Sequence, residues 1–264
     1  MEKPKYTFVF IVLTFRNTDD LECFFKANHV ADSKVIVVNS FFDEESNSKF
    51  EEIAHRNGAD FLKVPNNGYG AGNNRGVEYA MSHYDFDYLV ISNADIEIEK
   101  FDKNAIKNNS DSIIAPKILT LKGKNQNPSS PFHPSRVITN LTYRLYKGNH
   151  RHLIWLAYIY SRLSKIIYYS ISRFRKKIYS PHGAFFILPY HILKKMVPIY
   201  NEKMFLFYEE THIGKLAEKL RIRTNYTPEI VIRHKEDGSV SLLKEGQYKH
   251  MRDSYIELYN HWHL

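Results

Sequence analysis

Along the first hundred residues the apolar positions fall into short continuous runs, and the segments between them have a helical period. Thr7–Phe15 is a run of β-branched, aliphatic and aromatic residues. Lys34–Ser40 (KVIVVNS), Asp60–Val64 and Tyr88–Ser92 (YLVIS) follow it. Continuous apolar runs, as opposed to alternating ones, fit strands covered on both faces. Between them, Leu21–Ala27 fits a short helix and Phe50–Asn57 a helix stopped by Gly58. Val77, Ala80, Met81 and Tyr84 follow i, i+3, i+4, i+7. Strand–helix alternation predicts a mostly parallel sheet flanked by helices. Ligands on such sheets bind at the carboxyl ends of the strands. Four segments lie there: 14-TFRN-17, 39-NSFFD-43, 66-NNGYGAGNN-74 and 93-NAD-95.

The second half is less regular. Gly183–Pro189 (GAFFILP) predicts a buried strand, and Glu229–His234 (EIVIRH) another. Glu209–Leu220 predicts a helix with Ile213, Leu216, Ala217 and Leu220 on one face. Pro128–Pro134 predicts a loop. The segment from Leu141 to Ile178 is basic, aromatic and of helical character.

Composition adds bounds. With 264 residues, 43% of them hydrophobic, the chain can bury one sizeable core with an appendage. The single cysteine, Cys23, excludes an internal disulfide and a cysteine-built metal site. The opening MEKPKYTFVFIVLTF has a basic start and an apolar run, but no small-residue cleavage site, so it fits a first strand better than a signal peptide. No stretch reaches the ~18 apolar residues of a membrane-spanning helix.

Charge is distributed unevenly. The net charge is +8, yet Ser112–Asn201 contains no Asp or Glu and holds 15 Lys and Arg, leaving 22 basic against 29 acidic residues elsewhere. One segment supplies the whole positive excess, which points to an anionic partner. Residues 141–178 combine this charge with one Trp, six Tyr and one Phe. Helices at a membrane interface have that mixture, and Leu156, Ile159, Leu163, Ile166 and Ile167 would form the apolar face. A helical lid on the catalytic domain is the compatible alternative. A nucleic-acid-binding segment would use similar residues, but no nucleic-acid motif accompanies it.

The glycine-rich stretch 65-PNNGYGAGNNRG-76 invites comparison with phosphate cradles. A dinucleotide fold places G-x-G-x-x-G after its first strand. This stretch follows the third, and its spacing fails. A P-loop ends in Gly-Lys-Ser/Thr, which is absent here. Asp95 ends a buried strand, where a carboxylate is costly unless paired or bound to a metal, so it suits Mg²⁺ or Mn²⁺ on a diphosphate. Glu209 and Glu210 open an amphipathic helix. A favourable helix-dipole interaction explains one of them, and a general base over a sugar site is the functional reading. His234 ends a strand as a polar surface residue, a satisfied core group or a metal ligand.

Together these pieces resemble the family 2 glycosyltransferases of GT-A fold, over nearly the whole chain and in order. IVLTFRN resembles the family's V-V-T-Y-N, and VIVVNSFFD its V-V-D-N-S-x-x-D. NNGYGAGNNRG is close to the N-x-G-F-G-x-G-N-N-x-G of rhamnosyltransferase-like members. ISNAD corresponds to the strand ending in D-x-D or N-P-D. The segment from GAFFILP through FLFYEETHI matches the stretch that closes with Y-x-E-D-x-D-L, and VIRHKEDGSVS resembles V-x-H-x-x-G-x-S.

The resemblance implies an inverting transferase of hexosyl or deoxyhexosyl groups, within one GT-A domain over 1–264. It carries an insertion at 141–178 and a C-terminal helical segment at 240–264. By the same resemblance Thr14, Phe15 and Arg16 border the base and ribose, and Asn39 lies near the base. Asn67, Gly68 and Asn73 shape the nucleotide wall, with Asn93 and Glu209 beside the donor. Asp95, with His234, holds Mg²⁺ or Mn²⁺, and Glu210 is the catalytic base. The chain departs from the pattern at four places. Glu210 stands for Asp, His212 for the second Asp of E-D-x-D, Ala94 for Pro, and Asn93 for the first Asp of D-x-D. The base-reading Asp falls on Asn39 or Val38. The implied donor is dTDP-rhamnose or a UDP-hexose, and the implied acceptor a polyprenyl-diphosphate-linked sugar. The expected location is the cytoplasmic face of the plasma membrane, held peripherally. A catalytically weak nucleotide-sugar-binding homologue is the alternative. The C-terminal helix leaves two readings, a homodimer contact or a cover over the acceptor.

Overall fold

Phe8, Phe10 and Val12 of the first strand face one side of a sheet while Val9 and Ile11 face the other, and all five are buried. This burial on both faces is what the continuous apolar runs require. The computed structural model describes residues 3–153, 155–171, 176–235 and 246–264. Residues 236–240 of the last motif, the 240–245 start of the expected C-terminal segment, and Arg173, Phe174 and Arg175 lie outside the described residues.

The strands are β1 (Lys5–Thr14), β2 (Ser33–Ser40), β3 (Asp60–Val64), β4 (Asp85–Asn93), β5 (Ile96–Lys100), β6 (Ser112–Thr120), β7 (Lys177–Ile178), β8 (Phe185–Pro189) and β9 (Arg223–His234). They form one sheet in the order β3-β2-β1-β4-β8-β6-β9-β5, with β7 also against β9. β1 pairs in parallel with both β2 and β4, and β6 pairs in parallel with β9. β8 is antiparallel to β4, so its start lies beside the end of β4. The order reverses at β1, and a crevice opens between the ends of β1 and β4.

Helices α1 (Thr18–Ala27), α2 (Glu44–Arg56) and α4 (Lys103–Asn108) cover one face through Leu21, Phe24, Phe50, Ile53 and Ile106. Helices α3 (Tyr69–His83), α7 (Tyr190–Met196) and α8 (Glu209–Lys219) cover the other through Val77, Ala80, Leu193, Ile213 and Ala217. The mixed α/β sheet with flanking helices agrees with the expected fold class.

The glycine-rich stretch is not a long loop. α3 begins at Tyr69, so most of the motif is helical. Its glycines set how closely the helix packs. A Cβ on Gly72 would lie 2.5 Å from Leu13 Cδ1, and one on Gly76 would lie 2.5 Å from Ile11 Cγ2 and 2.8 Å from Val38 Cγ2. Only Gly68, at φ +102°, needs glycine for its backbone, and a Cβ there would meet Phe205 O at 2.2 Å.

The basic aromatic segment begins earlier than expected and is not helical throughout. It comprises α5 (Arg136–Lys147), a 3₁₀ turn at Arg151–Leu153, α6 (Trp155–Ile171) and the short β7. α6 docks through Tyr168, which is fully buried with Ala115, Ile178 and Tyr226. α5 packs on α9 (Gln247–Trp262), with Tyr143 and Tyr259 stacked at 3.8 Å and Tyr146 buried against Tyr255. No helix among the described residues is long and apolar enough to cross a membrane.

Candidate active site

The end of β1 delivers Thr14 and Phe15, and the end of β4 delivers Asn93 and Asp95. The turn before α3 delivers Gly68. These residues line a cavity of about 360 Å³ at the carboxyl edge of the sheet, together with Ser40, Asn66, Tyr69 and Phe205. His234, the last residue of β9, completes the wall with two residues that no sequence motif marked, Gln126 and His182.

Asp95 and His234 form the polar centre. Both are buried, and His234 Nε2 lies 3.3 Å from Asp95 Oδ1. Gln126 Oε1 lies 2.8 Å from His234 Nδ1. With Nδ1 turned to Gln126, Nε2 is the ring nitrogen that faces the carboxylate. Metal-binding histidines are oriented in this way by the partner of their other ring nitrogen. Among the described residues no group of three or more His, Cys, Asp or Glu side chains could hold a metal. Asp95 and His234 are two groups that could ligate a divalent cation, without forming a complete cage.

His182 sits beside this pair, its ring 5.9 Å from that of His234. Its Nδ1 accepts from Ala184 N at 3.1 Å, so its proton is on Nε2. Burial, and then the neighbouring His234, push its pKa down to about 3, which keeps the ring neutral. The Asn127 side chain holds the segment by accepting from His182 N and donating to Pro116 O.

α8 starts from a strained turn. Phe207 and Tyr208 both have positive φ, at 76° and 69°. Such positions cost about 1–3 kcal/mol each and persist where their surroundings fix them. Here the Tyr208 hydroxyl is 2.6 Å from that of Tyr146, and its ring packs edge-on against Tyr255. The turn places Glu209 and Glu210 in the first helical turn. Glu210 Oε1 accepts from Gly183 N at 3.3 Å, and the Tyr69 hydroxyl donates to Gly183 O at 2.8 Å. Gly183 therefore joins the carboxylate to the cavity wall.

Glu209 is buried, and its Oε1 has no hydrogen-bond partner. Burial, and then the adjacent Glu210, raise its pKa to about 8. His212 is buried one turn on, where its Nδ1 accepts from Trp262 Nε1 at 3.1 Å. Burial, then His261, lower its pKa to about 4, so it acts as a neutral acceptor pinning α9 to α8.

The structure does not bring all of the expected residues to the cavity: Glu209 and Glu210 do not line it, and neither do four others. Arg16 turns away and stacks over Phe42 at 3.9 Å. Asn39 is buried behind the wall, donating to Asn47, and its neighbour Ser40 takes the lining position. Asn67 is exposed, and Asn66 lines the cavity in its place. Asn73 lies within α3, donating to Tyr69 O at 3.0 Å. The sequence placed these four by motif position, and one residue of register or one turn of helix redirects a side chain.

A second cavity, of about 850 Å³, opens on the far side of the α8 turn. Tyr208 and Thr211 line it with Tyr160 and Ser164 of α6, Arg136 of α5 and Trp262 of α9. Glu209 and Glu210 thus stand, in sequence, between two residues that face this second cavity.

No family model matches the sequence, and no curated protein sequence is similar to it. Solved structures are similar. One is GalNAc-T7 with UDP, GalNAc and Mn²⁺, at 11% identity over 89% of this chain and 44% of that chain, with a TM-score of 0.59. Another is TarS of S. aureus, at 14% identity over 97% of this chain and 43% of that chain, with a TM-score of 0.54. The 1–349 portion of TarS with UDP gives 14% identity over 87% and 60%, with a TM-score of 0.52. The chain spans about half the length of these proteins. At such identities the likeness is one of fold, and that fold is GT-A.

Proposed function

We propose that the chain is an inverting glycosyltransferase that moves a sugar from a nucleoside-diphospho-sugar to an acceptor hydroxyl. The observation that carries this reading is the strand-end cavity. Asp95 and His234 line it, and the Glu210 carboxylate is joined to its wall through Gly183 and Tyr69. That the similar structures were solved with UDP supports a nucleotide donor.

Phe15 and Ser40 offer a wall to the nucleoside, while Thr14, Asn66 and Asn93 offer neutral hydrogen-bonding groups. A divalent cation held by Asp95 and His234 would supply positive charge to the departing diphosphate. Glu210 accepts from Gly183 through Oε1, which leaves Oε2 for the acceptor hydroxyl, and it takes that proton as the new bond forms on the face opposite the diphosphate. Phe205 and Leu206 keep water from the reacting carbon. The second cavity, beside Tyr208 and Thr211, receives the acceptor. We take the donor to be dTDP-rhamnose or a UDP-hexose, the acceptor to be a polyprenyl-diphosphate-linked sugar, and the site of action to be the cytoplasmic membrane surface.

The test is a transfer assay across nucleotide sugars, preceded by thermal-shift screening with Mn²⁺. The wild type is expected to be stabilised by its donor and to transfer the sugar. Glu210→Gln is expected to bind the donor equally and lose roughly 100-fold or more in kcat. Near-normal turnover in that variant overturns the assignment of the base.

A further inference from the structure

Helix α6 turns most of its large apolar residues outward, yet Lys165 points inward. The Lys165 side chain is half-buried, and its Nζ donates to Gln126 O at 3.4 Å. The Gln126 side chain bonds His234, which faces Asp95. One residue thus ties the ammonium to the polar centre of the cleft. Lys165 is also within electrostatic range of Glu210 and His182.

The ammonium lacks a carboxylate partner. Lys34 and Lys215, whose side chains are 16% and 18% exposed, each hold a carboxylate, at 2.8 Å (Asp60) and 3.0 Å (Glu218). No carboxylate lies within ion-pair distance of Lys165 among the described residues. Its one hydrogen-bond partner there is a long contact to a backbone carbonyl. Burial lowers its pKa, with the charge of Glu210 opposing. A withdrawn cation with uncommitted N–H groups is costly unless an anion completes it. His182 and Gln126 line the cavity, with Lys165 held on the Gln126 carbonyl, and the Nε2–H of His182 adds a neutral donor, since Nδ1 is already the acceptor for Ala184 N.

We propose that Lys165 and the Nε2–H of His182 bind phosphate oxygens in the cleft, those of the nucleoside diphosphate as it leaves the sugar. This rests on the glycosyltransferase reading and assigns to the inserted helix a part in binding the leaving group. An ammonium aimed at the diphosphate strengthens as negative charge gathers there during transfer. The role is separate from that of the Asp95–His234 pair, because Lys165 needs no metal to act.

Calorimetry tests it. UDP, dTDP and GDP, and the matching nucleosides, are titrated into the wild type, Lys165→Met and Lys165→Arg, with Mn²⁺ and with chelator. Melting curves check that each variant is folded. Lys165→Met is expected to weaken the preferred nucleoside diphosphate roughly 10- to 100-fold in both conditions and to leave nucleoside binding unchanged. Lys165→Arg is expected to keep most of the affinity. Equal diphosphate affinity in wild type and Lys165→Met overturns the proposal. Equal affinity with a raised KM for a phosphate-bearing acceptor also overturns it, and moves the phosphate to the acceptor. A wild type that binds none of the three diphosphates removes the glycosyltransferase reading itself, an outcome distinct from a variant that merely matches the wild type.

Discussion

Glu209 and Glu210 are adjacent carboxylates in one helical turn, and their surroundings separate them. Glu210 is half-buried and reaches Gly183, while Glu209 is buried beside Tyr69 and Tyr200, with one oxygen unpartnered. The Glu209 pKa, raised to about 8 from 4.5, keeps it protonated near neutrality, so no second negative charge stands beside Glu210. The folded protein then binds a proton that the unfolded chain releases. Between about pH 4.5 and pH 8 this group's contribution is lost as pH rises. Glu209→Gln keeps the shape and cannot ionise. Its melting temperature is expected to exceed that of the wild type by roughly 5 °C or more at pH 8 and by little at pH 5. A gap independent of pH would show that Glu209 is ionised in the folded state. His212 teaches a related lesson. It looks like a departure from the E-D-x-D pattern, but its Nδ1 is an acceptor for Trp262, a task open to a carboxylate as well.

At the scale of elements, α3 shows how composition misleads. Gly, Asn and a preceding Pro signal a loop, yet the chain is helical from Tyr69 because the glycines let α3 press onto β1 and β2. Gly76→Ala places a methyl against Ile11 and Val38, whose branched side chains are fully buried and cannot swing away. The substitution raises helix propensity but overpacks the core, and packing is expected to win by about 1–3 kcal/mol of lost stability. Ser82→Ala, on the exposed side of the same helix, is expected to change stability by less than about 0.5 kcal/mol. Denaturant unfolding of both variants checks this. β2, a continuous apolar run, was legible to within a residue because burial on both faces leaves little ambiguity, and β3, an edge strand with only Val64 buried, was bounded by Gly58 and Pro65. β6 was missed and β9 was read short, and each contains a proline, which weakens a strand signal. The ladder tolerates both by shifting register after Pro116, across the part of β9 that holds Pro228. The placement of Asp95 just past β4, of His234 at the end of β9 and of Glu210 at the start of α8 was legible in the apolar pattern. Gln126 and His182 were not. Gln126 follows β6 in irregular chain, and His182 reaches the cleft because β8 runs antiparallel to β4, which the sequence does not reveal.

At the scale of the whole molecule, the charge asymmetry acquires a location. The acid-free stretch Ser112–Asn201 includes α5 and α6, and α6 exposes Trp155, Leu156, Ile159, Leu163, Ile166 and Ile167. An apolar stripe with Ile166 62% exposed is costly in water, and it lies in a basic segment. The same helix is anchored by Tyr168 and sends Lys165 to the main chain of Gln126, a residue that lines the cleft. A surface that takes up the outer stripe therefore also holds the inner face in place. Anionic lipid satisfies both the stripe and the charge. In flotation, the protein is expected to rise with vesicles containing anionic lipid and to stay behind with neutral ones at physiological salt. Neutralising Arg173, Arg175, Lys176 and Lys177 together is expected to lower partitioning tenfold or more, given about 1 kcal/mol per basic residue near such a surface. Replacing Leu163 and Ile166 with Ser is expected to weaken binding at high salt, where charge is screened and the apolar contact remains. Equal flotation by the wild type and both variants would leave the stripe without a lipid role, and α6 would then be a lid over the second cavity.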